Sequence, residues 1–313
     1  MFNMQVDILV GKGGVGKSSL AAALACASVA NEKKTGLIDW DGGHSCARIL
    51  GLSESWRLRL VPNRFHFIED GSFSLAVIEG PIYRSILESK AIGVPFESYM
   101  KQFPESLGIV PFFDMLGDFY GVPIDIAMVQ KFVILADLLS MASERGYDYV
   151  VIDVEPTAGL ERLFKNASAM TRSIGNLKKL RALLKLAMRS GAPDIKAYLD
   201  QSPYVEQIGL YQRRISAAVQ MLQTARYLAV CTPERGPIEQ VEEVRSIVDR
   251  FGGKIQAQIV NNIQGRPYEA ENIALLRPTP RVLRVRRVEA LHTSAQPVPH
   301  LIRIGEELNA QLR

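Results

Sequence analysis

The sequence predicts an α/β fold, a mostly parallel twisted sheet flanked by helices, with an inserted α-helical subdomain. Three observations predict it. Short apolar runs alternate with helix-forming stretches, the order that a parallel sheet with crossover helices requires. The first run leads into a glycine-rich loop and then an alanine-rich helix former. The clearest run, Tyr147 to Asp153, is apolar and ends in an acid, as expected of a strand buried on both faces.

Taken in order, Val6, Ile8, Leu9 and Val10 form the first strand. Residues 11 to 19 read Gly-Lys-Gly-Gly-Val-Gly-Lys-Ser-Ser, in which Gly11, Gly16, Lys17 and Ser18 satisfy the phosphate-loop pattern G-x-x-x-x-G-K-[ST]. Successive main-chain N–H groups must turn inward to cradle phosphate oxygens, and glycine permits the angles. The phosphate cradle is therefore expected from Gly11, Gly13, Gly14, Val15, Gly16, Lys17, Ser18 and Ser19. Lys17 reaches the β- and γ-phosphates, and the Ser18 hydroxyl ligates Mg²⁺. Leu20, Ala21, Leu24, Ala25, Ala27 and Ala30 continue as a helix, whose positive end points at the same anion.

Further strands are expected at Thr35 to Asp39, Phe73 to Ile78, Tyr147 to Asp153, Tyr227 to Cys231 and Ile255 to Val260. Helices are expected at Ile124 to Arg145, Ile238 to Phe251 and Leu301 to Leu312. Two regions break the alternation. Pro81 to Val122 mixes aromatics with Pro and Gly, and Gly159 to Gln223 is a helical insert in which Leu177, Leu180, Leu184 and Met188 recur at helical spacing. The whole chain, 1–313, is read as a single P-loop NTPase domain. Its helical subdomain is built from insertions of approximately 81–122 and 159–223.

The bulk properties exclude several classes. With 313 residues, 47% of them hydrophobic and 22% charged, the chain can bury a substantial core and is not a disordered one. No apolar stretch is long enough to span a bilayer; the best, Phe132 to Ala142, is short and contains Asp137. The first strand begins almost at once, so no signal peptide is expected. The cysteines Cys26, Cys46 and Cys231 are far apart and form no C-x-x-C. A reduced, cytoplasmic location is expected, with peripheral membrane association left open. Glu155 to Arg226 carries 12 Lys/Arg against 5 Asp/Glu, although the chain as a whole is only +4. This basic insert suits nucleic acid, anionic lipid or an acidic protein; a solvated helix face explains it equally well.

Lys12 narrows the reading. The form G-K-G-G-V-G-K-[ST] resembles the deviant Walker A loop of the arsenite-pump (ArsA), ParA/MinD and nitrogenase iron protein group, within the SIMIBI class of P-loop ATPases. The resemblance implies that Lys12 crosses a homodimer interface to the partner's nucleotide and stabilises charge on the transferring phosphoryl group. Asp39-Trp-Asp41-Gly-Gly-His44-Ser45 is similar to the Asp-Pro-Ala-His-Ser switch of arsenite-pump-like ATPases, with Gly42-Gly43 in place of Pro-Ala. A carboxylate beside the γ-phosphate can orient or deprotonate water for in-line attack, and that catalytic role is assigned to Asp41. The alternative is that Asp39 and Asp41 cap a helix or ligate Mg²⁺ through water. Asp39 is placed with the metal ligands.

Asp153-Val-Glu-Pro-Thr157-Ala-Gly159 is a Walker B element whose acid holds Mg²⁺. It resembles the Asp-Thr-Ala-Pro-Thr-Gly-His segment of the arsenite-pump and tail-anchored-protein-targeting ATPases, with Glu155 for Ala and Ala-Gly for Gly-His. The same resemblance implies that Asn261, closing the strand Ile255 to Val260, bonds the adenine edge. Asn262 is its fallback, and Pro233 lies in the loop beside the base. Pro278 to Val282 is expected near the ring. Adenine is favoured because no Asn/Thr-Lys-x-Asp guanine motif appears in that region.

The implied ligands are ATP and Mg²⁺, and the catalytic set is Lys12, Lys17 and Asp41. The implied protein is a nucleotide-gated homodimeric switch of the ArsA/targeting-factor type that binds and delivers an apolar client, such as a membrane-protein helix. The alternative is a ParA/MinD-like positioning or partition ATPase on DNA or anionic membrane. A metalloid-pump ATPase subunit is a third reading. It fits less well, because As(III) sensing needs clustered thiolates. No iron–sulfur cluster is expected, since no cysteine lies between Cys46 and Cys231. The zinc C-x-x-C of many targeting ATPases is also missing.

Overall fold

The computed structural model describes residues 4–40, 44–57, 64–68, 72–78, 126–154, 157–165, 203–278, 280–288 and 296–313. The expected subdomain over 81–122, and 166–202 of the second insertion, lie outside the described residues.

The strands are β1 (Gln5–Val10), β2 (Thr35–Asp39), β3 (His66–Ile68), β4 (Phe73–Val77), β5 (Tyr149–Asp153), β6 (Arg226–Cys231), β7 (Lys254–Ile263) and β8 (Arg281–Arg286). The helices are α1 (Lys17–Ala30), α2 (Ser45–Ile49), α3 (Glu54–Arg57), α4 (Ile126–Glu144), α5 (Pro203–Thr224), α6 (Arg235–Phe251), α7 (Glu269–Ala274) and α8 (Val298–Leu312). Residues 157–165 are also helical. The sheet order is β3-β4-β2-β5-β1-β6-β7-β8. Every pairing is parallel except β3 with β4. β1 therefore sits in the interior of the sheet, between β5 and β6.

Both faces of the central strands are covered, which is why they read as continuous apolar runs. Successive side chains point to opposite faces. Ile8, Val10, Ile38, Val150 and Ile152 join the core under α4, α5 and α6. Leu9, Leu37 and Val151 join the core under α1, α2 and α8. The carboxy-terminal end of α5, through Ile215, Ala218, Met221 and Leu222, is part of the first of these cores. Met221 thus fills space beneath the sheet, and Met141 of α4 packs against the same core. Arg214 of α5 pairs with Asp137 of α4 at 2.9 Å, tying together the two helices. Burial raises the Asp137 carboxyl despite the Arg214 guanidinium beside it.

Leu301, Ile304 and Leu308 are buried, so α8 packs its apolar stripe inward as its sequence spacing predicts. It crosses α1 closely. A Cβ at Gly305 would collide with the Ala23 carbonyl and the Ala27 methyl, so only glycine allows the two helices this approach.

At the amino ends of the strands, Asp7 is fully buried and bonded by Arg226, Tyr149 and Gln5. Arg226 grips both carboxylate oxygens at 2.7 Å, and the Tyr149 hydroxyl donates to Oδ2 at 2.5 Å. Burial first, and then the Asp7 charge, push the Tyr149 phenol well up. This network lies at the end of the sheet opposite the glycine loop and joins β5, β1 and β6.

Two strands depart from the sequence expectations. β3 is a short, half-exposed antiparallel edge. Arg281–Arg286 is the opposite edge strand, pairing Leu283 with Ile259. The stretch Pro278 to Val282, expected near the base, leads into that strand. There the Arg277 and Pro280 carbonyls accept from the buried Gln258 amide at 2.8 and 3.0 Å.

Candidate functional site

The carboxyl ends of β1, β2, β5, β6 and β7 converge, the place where open α/β sheets bind ligands. Between β1 and α1 the chain makes the glycine loop. Gly14 and Gly16 sit at φ 81° and 89°, a left-handed conformation that disfavours side chains. The Lys17 ammonium folds back over the loop, donating to the Gly11 carbonyl at 3.1 Å and the Lys12 carbonyl at 2.9 Å. It is thus held inside the concavity with only 7% of the residue exposed. Lys12, Gly13 and Gly14 are exposed on the rim, while Ser18 and Ser19 open the helix behind.

β2 and β5 are register partners, and Asp39 pairs with Asp153. Two carboxylates, both buried, therefore stand side by side at the sheet's carboxyl end. Like charges on neighbouring strands are unfavourable without compensation. Ser18 favours the charged form of Asp153. Burial pushes the Asp153 carboxyl up to about 7; Ser18, Lys17 and the Cys46 thiol oppose that rise, and the Asp39 charge adds to it. Asp153 Oδ1 is buried with no hydrogen-bond partner. An orphaned buried oxygen, a second carboxylate and a hydroxyl form the hard-oxygen donor set that Mg²⁺ takes, so these residues fit the ion.

Cys46, on the short α2, enters the same cluster. Its N–H donates to Asp39 Oδ2 at 3.1 Å and its Sγ lies 3.6 Å from Asp153 Oδ2. Burial, reinforced by both acids, pushes the thiol well up. Nothing in the spacing of the cysteines pointed to this contact, because the fold brings together residues 107 apart in sequence.

Asn261 stands on β7 behind the loop, and its amide donates to the Val15 carbonyl at 2.9 Å. One donor is used there; an asparagine side chain keeps a second N–H and its oxygen for a ligand. Pro233 follows β6, and its carbonyl accepts from the Asn272 amide of α7 at 2.9 Å. The buried Glu269 accepts from the N–H groups of Gln264 (3.1 Å) and Gly265 (2.7 Å), fixing the turn after β7. Asn272 and Glu269 brace this end of the site, and no motif announces either. Asp41 lies outside the described residues.

A phosphate-binding loop at the central strand of a parallel sheet, with acids at the tips of two neighbouring strands, defines a P-loop nucleoside triphosphatase. The profile of the anion-transporting (ArsA) ATPases matches residues 4–274. The chain belongs to that family and is an ATP hydrolase. Over 276 residues it is 24% identical to the putative arsenical pump-driving ATPase 2 of Aquifex aeolicus (strain VF5), covering 83% of this chain and 80% of that protein. Over 258 residues it is 21% identical to the ATPase ASNA1 homolog of Babesia bovis, covering 81% of this chain and 64% of that protein.

Proposed function

We propose that this ATPase is a Mg²⁺-dependent, nucleotide-gated homodimeric switch that binds and delivers an apolar client, such as a membrane-protein helix. The observation that carries its chemistry is the juxtaposition of the Lys17 ammonium, folded into the glycine loop, with the buried Asp39 and Asp153 carboxylates at the ends of β2 and β5. That arrangement sets a cation against the β- and γ-phosphates and presents oxygen ligands beside them. When bound, Mg²⁺ would neutralise charge on the phosphate oxygens, held by Ser18, Asp153 and Asp39.

The chain's own residues supply the rest. Loop N–H groups and the amino end of α1 hold the phosphates. Asp41 accepts a proton from the attacking water or orients it. Lys12, exposed on the rim, reaches the nucleotide of the partner subunit and stabilises charge as an arginine finger does. Asn261 and Pro233 meet the adenine. ATP binding draws two subunits together and hydrolysis releases them, so the client surface changes with the nucleotide. The client surface is assigned to the two insertions, and the protein to the cytoplasm, working at the membrane periphery. Among the described residues no helix is long and apolar enough to cross a membrane.

Co-expression with a single-pass tail-anchored protein tests the client half: a soluble complex, released on ATP hydrolysis, is expected. Failure to hold any apolar segment, together with salt-sensitive binding to DNA or anionic liposomes, favours a positioning or partition role instead. The catalytic half is tested by Asp41→Asn, which should bind ATP as before and lose turnover. Unchanged hydrolysis removes Asp41 from the reaction.

A further inference from the structure

We infer that Asp39, Cys46 and Asp153 form a site for a thiophilic divalent cation, of the zinc, cadmium or cobalt class, in the nucleotide-free protein. The inference rests on the preceding reading in that the two carboxylates are those assigned to Mg²⁺; the thiol is the new element. One ligand atom from each of the three residues lies within 4.8 Å of the others, and all three side chains are buried. Asp153 Oδ1 has no hydrogen-bond partner and is turned away from solvent, so the cluster contains an acceptor that the protein itself leaves unused.

The geometry suits a small tetrahedral ion. With metal–sulfur and metal–oxygen bonds of about 2.3 and 2.0 Å, ligand atoms on one tetrahedral ion stand roughly 3.5 Å apart. Cys46 Sγ stands 3.6 Å from Asp153 Oδ2. Three protein ligands leave the fourth position to solvent, as in open sites. The chemistry discriminates as well. Magnesium wants an octahedron of oxygens and gains nothing from sulfur, whereas zinc, cadmium and cobalt bind thiolate strongly. On binding, the Cys46 thiol gives its proton to solvent and a metal–sulfur bond replaces the sulfur–hydrogen bond. A divalent ion then faces a thiolate and two carboxylates. Cys26 packs among the alanines and leucines of the α1 core, and Cys231 joins the core on the opposite face.

The test uses full-length protein, stripped of metal and nucleotide and titrated with Co²⁺. Thiolate ligation appears as a sulfur-to-cobalt charge-transfer absorption, which oxygen ligands alone do not give. The wild type should show it, and Zn²⁺ should displace it. The double variant Cys26→Ala/Cys231→Ala should keep it. Cys46→Ala and Cys46→Ser should lose it and weaken Co²⁺ binding by more than the roughly 10- to 100-fold that follows loss of a residue merely orienting a ligand. No absorption in the wild type, or absorption that survives Cys46→Ala, overturns the site. If the Cys46 variants do not fold, the double variant decides alone, since Cys46 is then its sole thiol. Calorimetry with Mg·ATP on the same wild-type sample separates the two readings. Normal nucleotide uptake without the band sinks only the thiophilic site, and absent uptake sinks the nucleotide reading whatever the band does.

Discussion

Asn261 donates its side-chain amide to the Val15 carbonyl at 2.9 Å, so the tip of β7 holds the phosphate loop from behind. The contact also explains a glycine. A Cβ at Gly16 would collide with that same amide, so loop and prop are fitted to one another across the sheet. The loop's shape is therefore fixed partly by a residue far from it in sequence.

Asn261→Ala removes the prop and leaves the Val15 carbonyl without this donor. A neutral hydrogen bond is worth about 1 kcal/mol net, so ATP affinity should fall roughly fivefold, with the fold retained. Asn261→Asp should be worse, since a carboxylate meets the carbonyl with no proton to give. Calorimetric titration with ATP, alongside thermal melting, measures both.

Arg226→Ala should destabilise the protein by about 3 kcal/mol, because it strands the wholly buried Asp7 carboxylate with, among the described residues, only Tyr149 and Gln5 to meet it. The network sits at the end of the sheet away from the glycine loop. At a temperature where the variant stays folded, its KM for ATP should be that of the wild type. Chemical denaturation and steady-state kinetics check the two halves separately.

The Asp153 carboxyl is held up to about 7 by burial, against an ordinary value near 3.8. The folded protein therefore binds a proton between those values that the unfolded chain has released. Stability contributed by this proton is greatest below the ordinary value, declines as pH rises, and is gone above about 7. Melting temperatures in a chelator should fall across that window, and Asp153→Asn should flatten the dependence. An unchanged profile in the variant would show that Asp153 is not the group responsible.

Central strands were legible because burial on both faces writes itself as continuous apolar sequence; Thr35–Asp39 begins and ends where its pattern does. The edges were not. β3 is three residues long, and β8 alternates arginine with apolar residues, a pattern set by one open face and readable as a loop. The loop residues and Asp153 were legible because their chemistry demands fixed local spacing. Cys46 beside Asp153 was not, and neither were the Val15 contact of Asn261 or the bracing by Asn272, since each is made by tertiary proximity alone. The two cores absorb Cys26, Cys231 and Met221 as ordinary fillers.

The central claim is that main-chain amides of residues 11–19, with Lys17, hold the triphosphate of Mg·ATP. Isothermal titration of the metal-stripped, folded protein with ATP and Mg²⁺ tests it most directly. One nucleotide per subunit is predicted, with binding weakened by at least about 100-fold in Lys17→Ala. No uptake by the wild type, or equal uptake by the variant, would contradict it.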